Sequence, residues 1–291
     1  MSQLQAQFKG IDQMADLTSV DTLAITPSTN TFKILQLTDC HLLEQPEDTL
    51  MGVNTEKSLL DVLDHIQRSP QWPPDLILLT GDLAQTPTPT VYQRLHKLFQ
   101  PFTVPCACLP GNHDEPGHML AYLCQKPIAC PRRILTRHWQ ILLLNSKKND
   151  SPQGLLSENE LKFLRAHLAT TSMPTLIALH HPPVPVGSAW MDTMQLENGE
   201  AFLKLASSFP QVKCIIFGHV HQDFVSQYHS LTLMSSPSTC FQFKPHASDF
   251  ALDTKPAGWR WLHLHCDGAI DTQIERLDHL PPGLDFFQAG Y

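Results

Sequence analysis

The 291-residue sequence carries 20 Lys and Arg against 28 Asp and Glu, a formal charge of −8 at pH 7. That acidic balance, with no basic run, argues against a nucleic-acid surface, and 42 % hydrophobic residues argue against global disorder. No apolar run reaches membrane-spanning length, and the length suits one large α/β domain or two small ones.

Residues 1–31 are polar with scattered apolar positions and read as an N-terminal extension lying on the domain, with a turn over 27–30. Lys9, Asp12 and Asp16 interrupt the start of the chain, so no signal peptide is expected and the expected location is cytoplasmic. The run Lys33–Leu37 predicts a strand that leads to Asp39-Cys40-His41. After a loop over 42–53, Asn54 or Thr55 can cap a helix to about Gln67, with Leu59, Leu60, Val62, Leu63 and Ile66 as its apolar positions. Leu76–Leu79 predicts a second strand, ending at Gly81-Asp82. A Thr/Pro-rich loop and a helix over roughly 91–100 precede the strand that ends at Leu109-Pro110-Gly111-Asn112-His113.

Residues 116–125 read as helical, and 134–136 with 139–144 as a strand pair. Ser157 with Glu160 forms a capping box for a helix to about Leu168. Leu176–Leu179 leads to His180-His181, then to the stiff loop Pro182-Pro183-Val184-Pro185. A helix near 197–207 precedes the strand Cys214–Phe217, which ends at Gly218-His219-Val220-His221. Beyond it, 223–228, 231–235, 258–266 and 270–277 read as strands, the last two joined by a hairpin at Asp267-Gly268. The first two-thirds therefore alternates β and α and the last third is mostly β, which fits an α/β fold with a two-sheet core and helices on its outer faces. The eight Cys are scattered, several within strand runs, and are expected to be buried reduced thiols. A zinc or redox role for Cys106-x-Cys108 is the weaker alternative.

Five strand ends thus carry Asp, Asn or His, and ligands of open α/β sheets gather at the carboxyl ends of strands. The inventory is two carboxylates (Asp39, Asp82), one amide (Asn112) and the imidazoles of His41, His180, His181, His219 and His221. Mixed nitrogen and oxygen donors without thiolate suit zinc, iron or manganese. The set is too large for one four-coordinate ion. Two ions bridged by a shared carboxylate use it economically, and such pairs, about 3.5–4 Å apart, serve hydrolytic phosphate chemistry. His181 is expected to be a supporting or surface neighbour of His180. Among the sixteen His, His118, His138, His167, His229 and His279 look like ordinary surface or packing residues.

The order Asp39-x-His41, Gly81-Asp82, Gly111-Asn112-His113-Asp114, His180, Gly218-His219-x-His221 resembles the calcineurin-like metallophosphoesterases over residues 32–221. The resemblance implies a four-layer α-β-β-α sandwich in a single domain over 32–291. It also implies a binuclear centre of divalent cations, iron and/or manganese with zinc or magnesium as alternatives. It would place Asp39, His41, Asp82 and His221 on one metal and Asp82, Asn112, His180 and His219 on the other, with Asp82 as the bridge. Further stretches are similar to the bacterial class III 3′,5′-cyclic AMP phosphodiesterases: Leu50-Met51-Gly52-Val53-Asn54-Thr55, Gly81–Gln85, Pro237–Cys240, Gln242–His246 and Ala257–Arg260. That similarity implies hydrolysis of cyclic AMP to 5′-AMP. His113 would be the proton donor to the leaving 3′ oxygen, and His41 and Asn112 would also touch the phosphate. Lys244, His246 and Arg260 are candidates to reach the substrate, with solvated surface charges as the alternative. Leu83-Ala84-Gln85-Thr86 after Asp82 departs from the Gly-Asp-x-x-Asp-Arg of Ser/Thr protein phosphatases, so the group that orients the catalytic His there is absent here. The rival readings are a related enzyme acting on another nucleotide, a phosphomonoester or a pyrophosphate, and a non-catalytic scaffold on the same fold.

Overall fold

The strand runs assemble into two sheets in a computed structural model that describes residues 21–27, 29–288 and 290. Most of the expected N-terminal extension, residues 1–20, and residue 28 of the expected turn lie outside the described residues. One sheet has six strands in the order β13-β12-β2-β3-β4-β5. Its centre is β2 (Thr31–Leu37), β3 (Leu76–Thr80) and β4 (Cys106–Leu109), parallel to one another and to β5 (Ile128–Ala129). The antiparallel strands β12 (Gly258–His265) and β13 (Ile270–Arg276) complete it. The other sheet has seven strands, β1-β6-β7-β8-β9-β11-β10. They are β1 (Thr22–Ala24), β6 (Arg133–Leu135), β7 (Gln140–Leu143), β8 (Thr175–Ala178), β9 (Val212–Phe217), β10 (Val225–Tyr228) and β11 (Leu231–Ser235).

Three apolar cores separate four layers. Between the sheets, Phe32, Ile34, Leu76, Leu78 and Leu262 of the first face Ile141, Leu176, Ile216 and Met234 of the second. The opposite face of the first sheet, with Leu35, Leu37, Ile77, Leu79, Trp259 and Trp261, is covered by two helices. These are α1 (Thr55–Gln67), through Leu59, Val62, Leu63 and Ile66, and α2 (Pro89–Phe99), through Val91, Tyr92, Leu95 and Phe99. The opposite face of the second sheet packs on α3 (Glu158–Ala169) and α4 (Gly199–Ser207). Strands buried on both faces read as continuous apolar runs, which is why they were visible without alternation. The expected α-β-β-α sandwich is therefore present.

Caps fix where the helices start. Asn54 accepts from the Lys57 N–H and Thr88 from the Val91 N–H, as side chains at N-cap positions do. Ser157 likewise accepts from the Glu160 N–H, but the expected reciprocal half of that capping box is missing. The Glu160 carboxylate instead accepts from the Asn145 N–H and from Arg132, 2.8 Å away. The expected helix over 116–125 is a short turn of α-helix, Pro116–His118, running into a π-turn, Met119–Leu123. Cys124 and Cys130 form a disulfide, which overturns the expectation of eight reduced thiols. The π-turn delivers Cys124 close to the end of β5, where Cys130 follows Ala129. Cys40, Cys106, Cys108, Cys214, Cys240 and Cys266 are free thiols.

Candidate active site

Each of the five strands ends beside the same buried volume. β2, β3 and β4 of the first sheet deliver Asp39 with His41, Asp82, and Asn112 with His113. β8 and β9 of the second deliver His180 with His181, and His219 with His221. Gln36 ties the two sheets at this end, its Nε2 donating to Thr80 Oγ1 at 3.0 Å and to the Phe217 carbonyl at 3.1 Å.

Left-handed backbone is concentrated at these strand ends, which hold five of the nine non-glycine residues with positive φ among the described residues. Asp39, His41, Asp82, His219 and His221 all have φ between 47° and 67°. Non-glycine residues reach that left-handed region at a cost, and such outliers gather at functional sites. Gly81, with φ 96°, precedes one of them, and a Cβ there would sit 2.4 Å from His180 Nδ1. At Gly111 the constraint is close approach, since a Cβ would lie 2.1 Å from Asp82 Oδ1.

The donor atoms converge. His41 Nε2 and His221 Nε2 are 3.1 Å apart, and His221 Nε2 is 3.4 Å from Asp39 Oδ1. Asp82 Oδ2 lies 3.1 Å from His180 Nε2 and 3.9 Å from His41 Nε2, between the two groups. His219 Nδ1 is 3.0 Å from Asn112 Oδ1. Outer partners fix three tautomers. His41 Nδ1 is 2.8 Å from Gln85 Oε1, His180 Nδ1 donates to the Thr80 carbonyl, and His221 Nδ1 donates to the Phe241 carbonyl. Such partners orient metal-ligating imidazoles. With each Nδ1 turned to an outer acceptor, Nε2 of His41 and Nε2 of His221 face each other at 3.1 Å, placed as two donors to one cation would be. Nε2 of His219 is buried without a hydrogen-bond partner. The residues present therefore fit metal ions, and Asp39, His41 and His221, and separately Asp39, Asp82 and His180, have ligand atoms within 4.8 Å of one another.

Electrostatics follow from this crowding. Burial alone would raise the Asp82 and Asp39 carboxyls, but His180 beside the first and His221 beside the second hold both below the usual carboxylate range. Burial would lower His180, yet the Asp82 and Asp39 carboxylates outweigh it and push its pKa up to about 9. Burial dominates at His41, which falls to about 3, and at His181 and His219, both lowered well below the ordinary value. Exposure is graded across the site. Asp39, His41, Asp82, His180 and His221 are buried, whereas Asn112 and His113 are half-buried.

Several contributions were not anticipated. For His181 the supporting alternative holds and the surface one does not: it is fully buried, its Nδ1 2.8 Å from Ser146 Oγ and its ring against those of His180 and His219. Asp114 accepts from the backbone N–H groups of Leu83, Ala84 and Gly111 and from the Tyr92 hydroxyl at 2.9 Å, clamping the Asp82 turn to the Asn112 turn. Lys147 Nζ donates to the Asn112 carbonyl at 2.6 Å. Arg260 is neither a solvated charge nor aimed at a substrate. It is 1 % exposed and engaged by the Ser235 carbonyl, Thr272 and Asp223. Lys244 and His246 are exposed, with the His246 ring against Gly187.

Residues 32–223 match the family described as calcineurin-like phosphoesterase. The chain is 42 % identical over 280 residues to the 3′,5′-cyclic adenosine monophosphate phosphodiesterase CpdA of Vibrio vulnificus, covering 94 % of this chain and 99 % of that protein. Its identity to the protein of the same name from Escherichia coli is also 42 %, over 84 % of this chain and 90 % of the relative. Among solved structures, a dimetal phosphatase from Danio rerio superposes with a TM-score of 0.54 at 15 % identity, over 84 % of this chain and 98 % of that one, and shares the fold. With the family match spanning both sheets and every strand end of the cluster, the chain belongs to the calcineurin-like metallophosphoesterases.

Proposed function

We propose that the chain hydrolyses 3′,5′-cyclic AMP to 5′-AMP. The observation that carries this reading is 42 % identity along nearly the whole length of a cyclic AMP phosphodiesterase. The cluster agrees with it, because each ligand position of the composite motif holds a donor. Asp39, His41, Asp82 and His221 hold one divalent cation, and Asp82, Asn112, His180 and His219 hold the other. Iron and manganese are the proposed metals, with zinc or magnesium as alternatives.

When bound, the cations neutralise phosphate charge and activate a water as the nucleophile. The chain's own residues do the rest. Water oxygen adds to phosphorus, the bond from phosphorus to the 3′ oxygen breaks, and His113 supplies the proton that the departing oxygen needs. His113 is half-buried beside Asn112, its backbone N–H donates to Asp82 Oδ1 at 2.9 Å, and its ring meets that of His41 edge-on. Asn112 completes the contacts to the phosphate, whereas His41, expected to join it, is fully buried with its Nδ1 on Gln85 and its Nε2 assigned to the cation. Residues 32–291 act as one domain, to which Thr22–Ala24, from the expected extension, add a strand of the seven-stranded sheet. The partner is a small molecule, and neither nucleic acid nor membrane. Among the described residues, no helix is long and apolar enough to cross a membrane. A cytoplasmic place of action follows from the proposed substrate.

The test is turnover of cyclic AMP, cyclic GMP, 2′,3′-cyclic AMP and p-nitrophenyl phosphate by protein loaded with a defined metal. Preference for cyclic AMP is expected. Turnover of the monoester with none of cyclic AMP would overturn the reading.

A further inference from the structure

Away from the strand ends, three sulfur atoms meet on the edge of the six-stranded sheet. β4 and β5 are parallel neighbours, with Cys106 opposite Ile128 and Ala107 opposite Ala129. One further step in that register places Cys108 beside Cys130, and their sulfurs are 3.2 Å apart. Cys124 arrives from a third direction, at the end of the π-turn, where its N–H donates to the Met119 carbonyl at 2.9 Å. All three sulfurs lie within 4.8 Å of one another. Cys124 and Cys130 are joined as a disulfide, and Cys108 is a free thiol against that bond.

A disulfide needs two sulfurs. The third, delivered by a separate strand, has no part in it. We propose that, once the Cys124–Cys130 bond is reduced, Cys108, Cys124 and Cys130 form a site for one thiophilic divalent cation of the zinc and cadmium class. Metal–sulfur bonds of about 2.3 Å place tetrahedral ligand sulfurs roughly 3.8 Å apart, a spacing inside the span of this cluster. Three cysteines are a ligand set that soft metals select. An entry path exists as well. A cleft of about 230 Å³ is lined by Cys108 and Cys130 together with Met119, Pro116 and Arg132.

The chemistry balances with a dithiol reductant as co-reactant. Its two electrons and two protons break the S–S bond and leave thiols on Cys124 and Cys130, while the reductant becomes a disulfide. The cation then displaces the three thiol protons. Burial pushes the Cys108 thiol well above its ordinary pKa, so it stays protonated until a cation compensates the charge. The site is independent of the phosphoesterase centre, whose candidate ligands include no sulfur.

That difference supplies the test. Full-length protein is reduced with a dithiol, freed of the reductant and titrated with cadmium ion, reading the ultraviolet sulfur-to-cadmium charge-transfer band. Cadmium in the nitrogen and oxygen centre gives no such band. The band is expected to saturate at one cadmium and to be absent from protein that retains the disulfide. Cys130→Ser and Cys124→Ser, each checked for folding by circular dichroism, are expected to weaken cadmium binding by at least the roughly 10–100-fold that loss of a supporting contact costs. Cys106→Ser and Cys266→Ser are expected to keep the band. No band in the reduced protein, or one undiminished in Cys130→Ser, would overturn the proposal. Should both variants misfold, the wild-type comparison decides, because an equal band with and without the disulfide excludes these three sulfurs.

Discussion

Asp82 Oδ2 lies 3.1 Å from His180 Nε2 and 3.9 Å from His41 Nε2, so deleting this one carboxylate disturbs both halves of the cluster. Under the proposed ligand assignment Asp82→Ala weakens both metal sites, and no other single ligand substitution does so. Elemental analysis of the purified variant checks this, and retention of both metals would reject the bridge. His113 separates from the ligands by a different measurement. A ribose 3′ alkoxide is a poor leaving group that needs a proton, whereas nitrophenolate can leave without one. His113→Ala is therefore expected to retain both metals and to lose roughly 10²–10⁴-fold on cyclic AMP. Its loss on bis(p-nitrophenyl) phosphate is expected to be much smaller. Equal losses on the two substrates would make His113 a phosphate-binding residue. Asn112→Ala is expected to impair both substrates, because it removes a proposed ligand. The residues in these arguments were legible because each follows an apolar run by one to four positions. Asp114 stood inside the same motif, yet its clamp was hidden. Its partners Leu83, Ala84 and Tyr92 are 22 to 31 residues away, and nothing local announces them. Gln85 and Ser146 were missed for the same reason, because they act on His41 and His181 across the fold.

At the level of elements, the clamp makes Asp114 the link between the turn after β3 and the turn after β4. Asp114→Asn keeps the size but puts an NH₂ where one of two accepting oxygens stood, facing backbone N–H donors. A buried donor left unpaired costs about 1–3 kcal/mol, so a lower denaturation midpoint of that size is expected. A lower metal content should accompany it, since Asp82 and Asn112 lose their common anchor. A variant that loses stability while keeping full metal occupancy would show that the clamp supports the fold alone. At α3, Ser157→Ala should cost about 1 kcal/mol, the ordinary value of a cap, read from the same denaturation curves. Glu160 replacements should cost more than half a capping box would, because that carboxylate joins Asn145 and Arg132 to the helix. Helices and buried strands were legible from periodicity and from runs of Leu, Ile and Val. The edge strand β1 was not, because its three residues, Thr22–Ala24, are too few to show a pattern. The sheet order was hidden as well. The strand ends announced a common site, but which strands share a sheet depends on long-range packing that one sequence does not display.

For the whole molecule, the cluster predicts how stability depends on pH once metal has been removed by a chelator. His41, His181 and His219 have pKa values lowered by burial, His41 to about 3. Below the unfolded value of 6.5 the unfolded chain binds protons that the folded chain refuses. Stability therefore falls as pH drops, by about 1.4 kcal/mol per pH unit for each such group. His180 has the opposite sign. Burial alone would lower its pKa, but Asp82 and Asp39 raise it to about 9. The folded chain then holds a proton that the unfolded chain has lost, so this contribution is full below pH 6.5 and disappears as pH rises toward 9. The metal-free cluster should thus be most stabilising near pH 6.5, with losses on both sides. Cations in the centre would take the place of the His180 proton, so the alkaline fall should vanish when metal is restored. Other groups in the chain also titrate, and His180→Gln isolates the term of interest. In chelated protein, the fall in denaturation free energy between pH 6.5 and 9 should be smaller in His180→Gln than in the wild type. Parallel alkaline slopes in the two chelated proteins would mean that His180 carries no excess proton, and that the carboxylates around it do not act as the geometry implies.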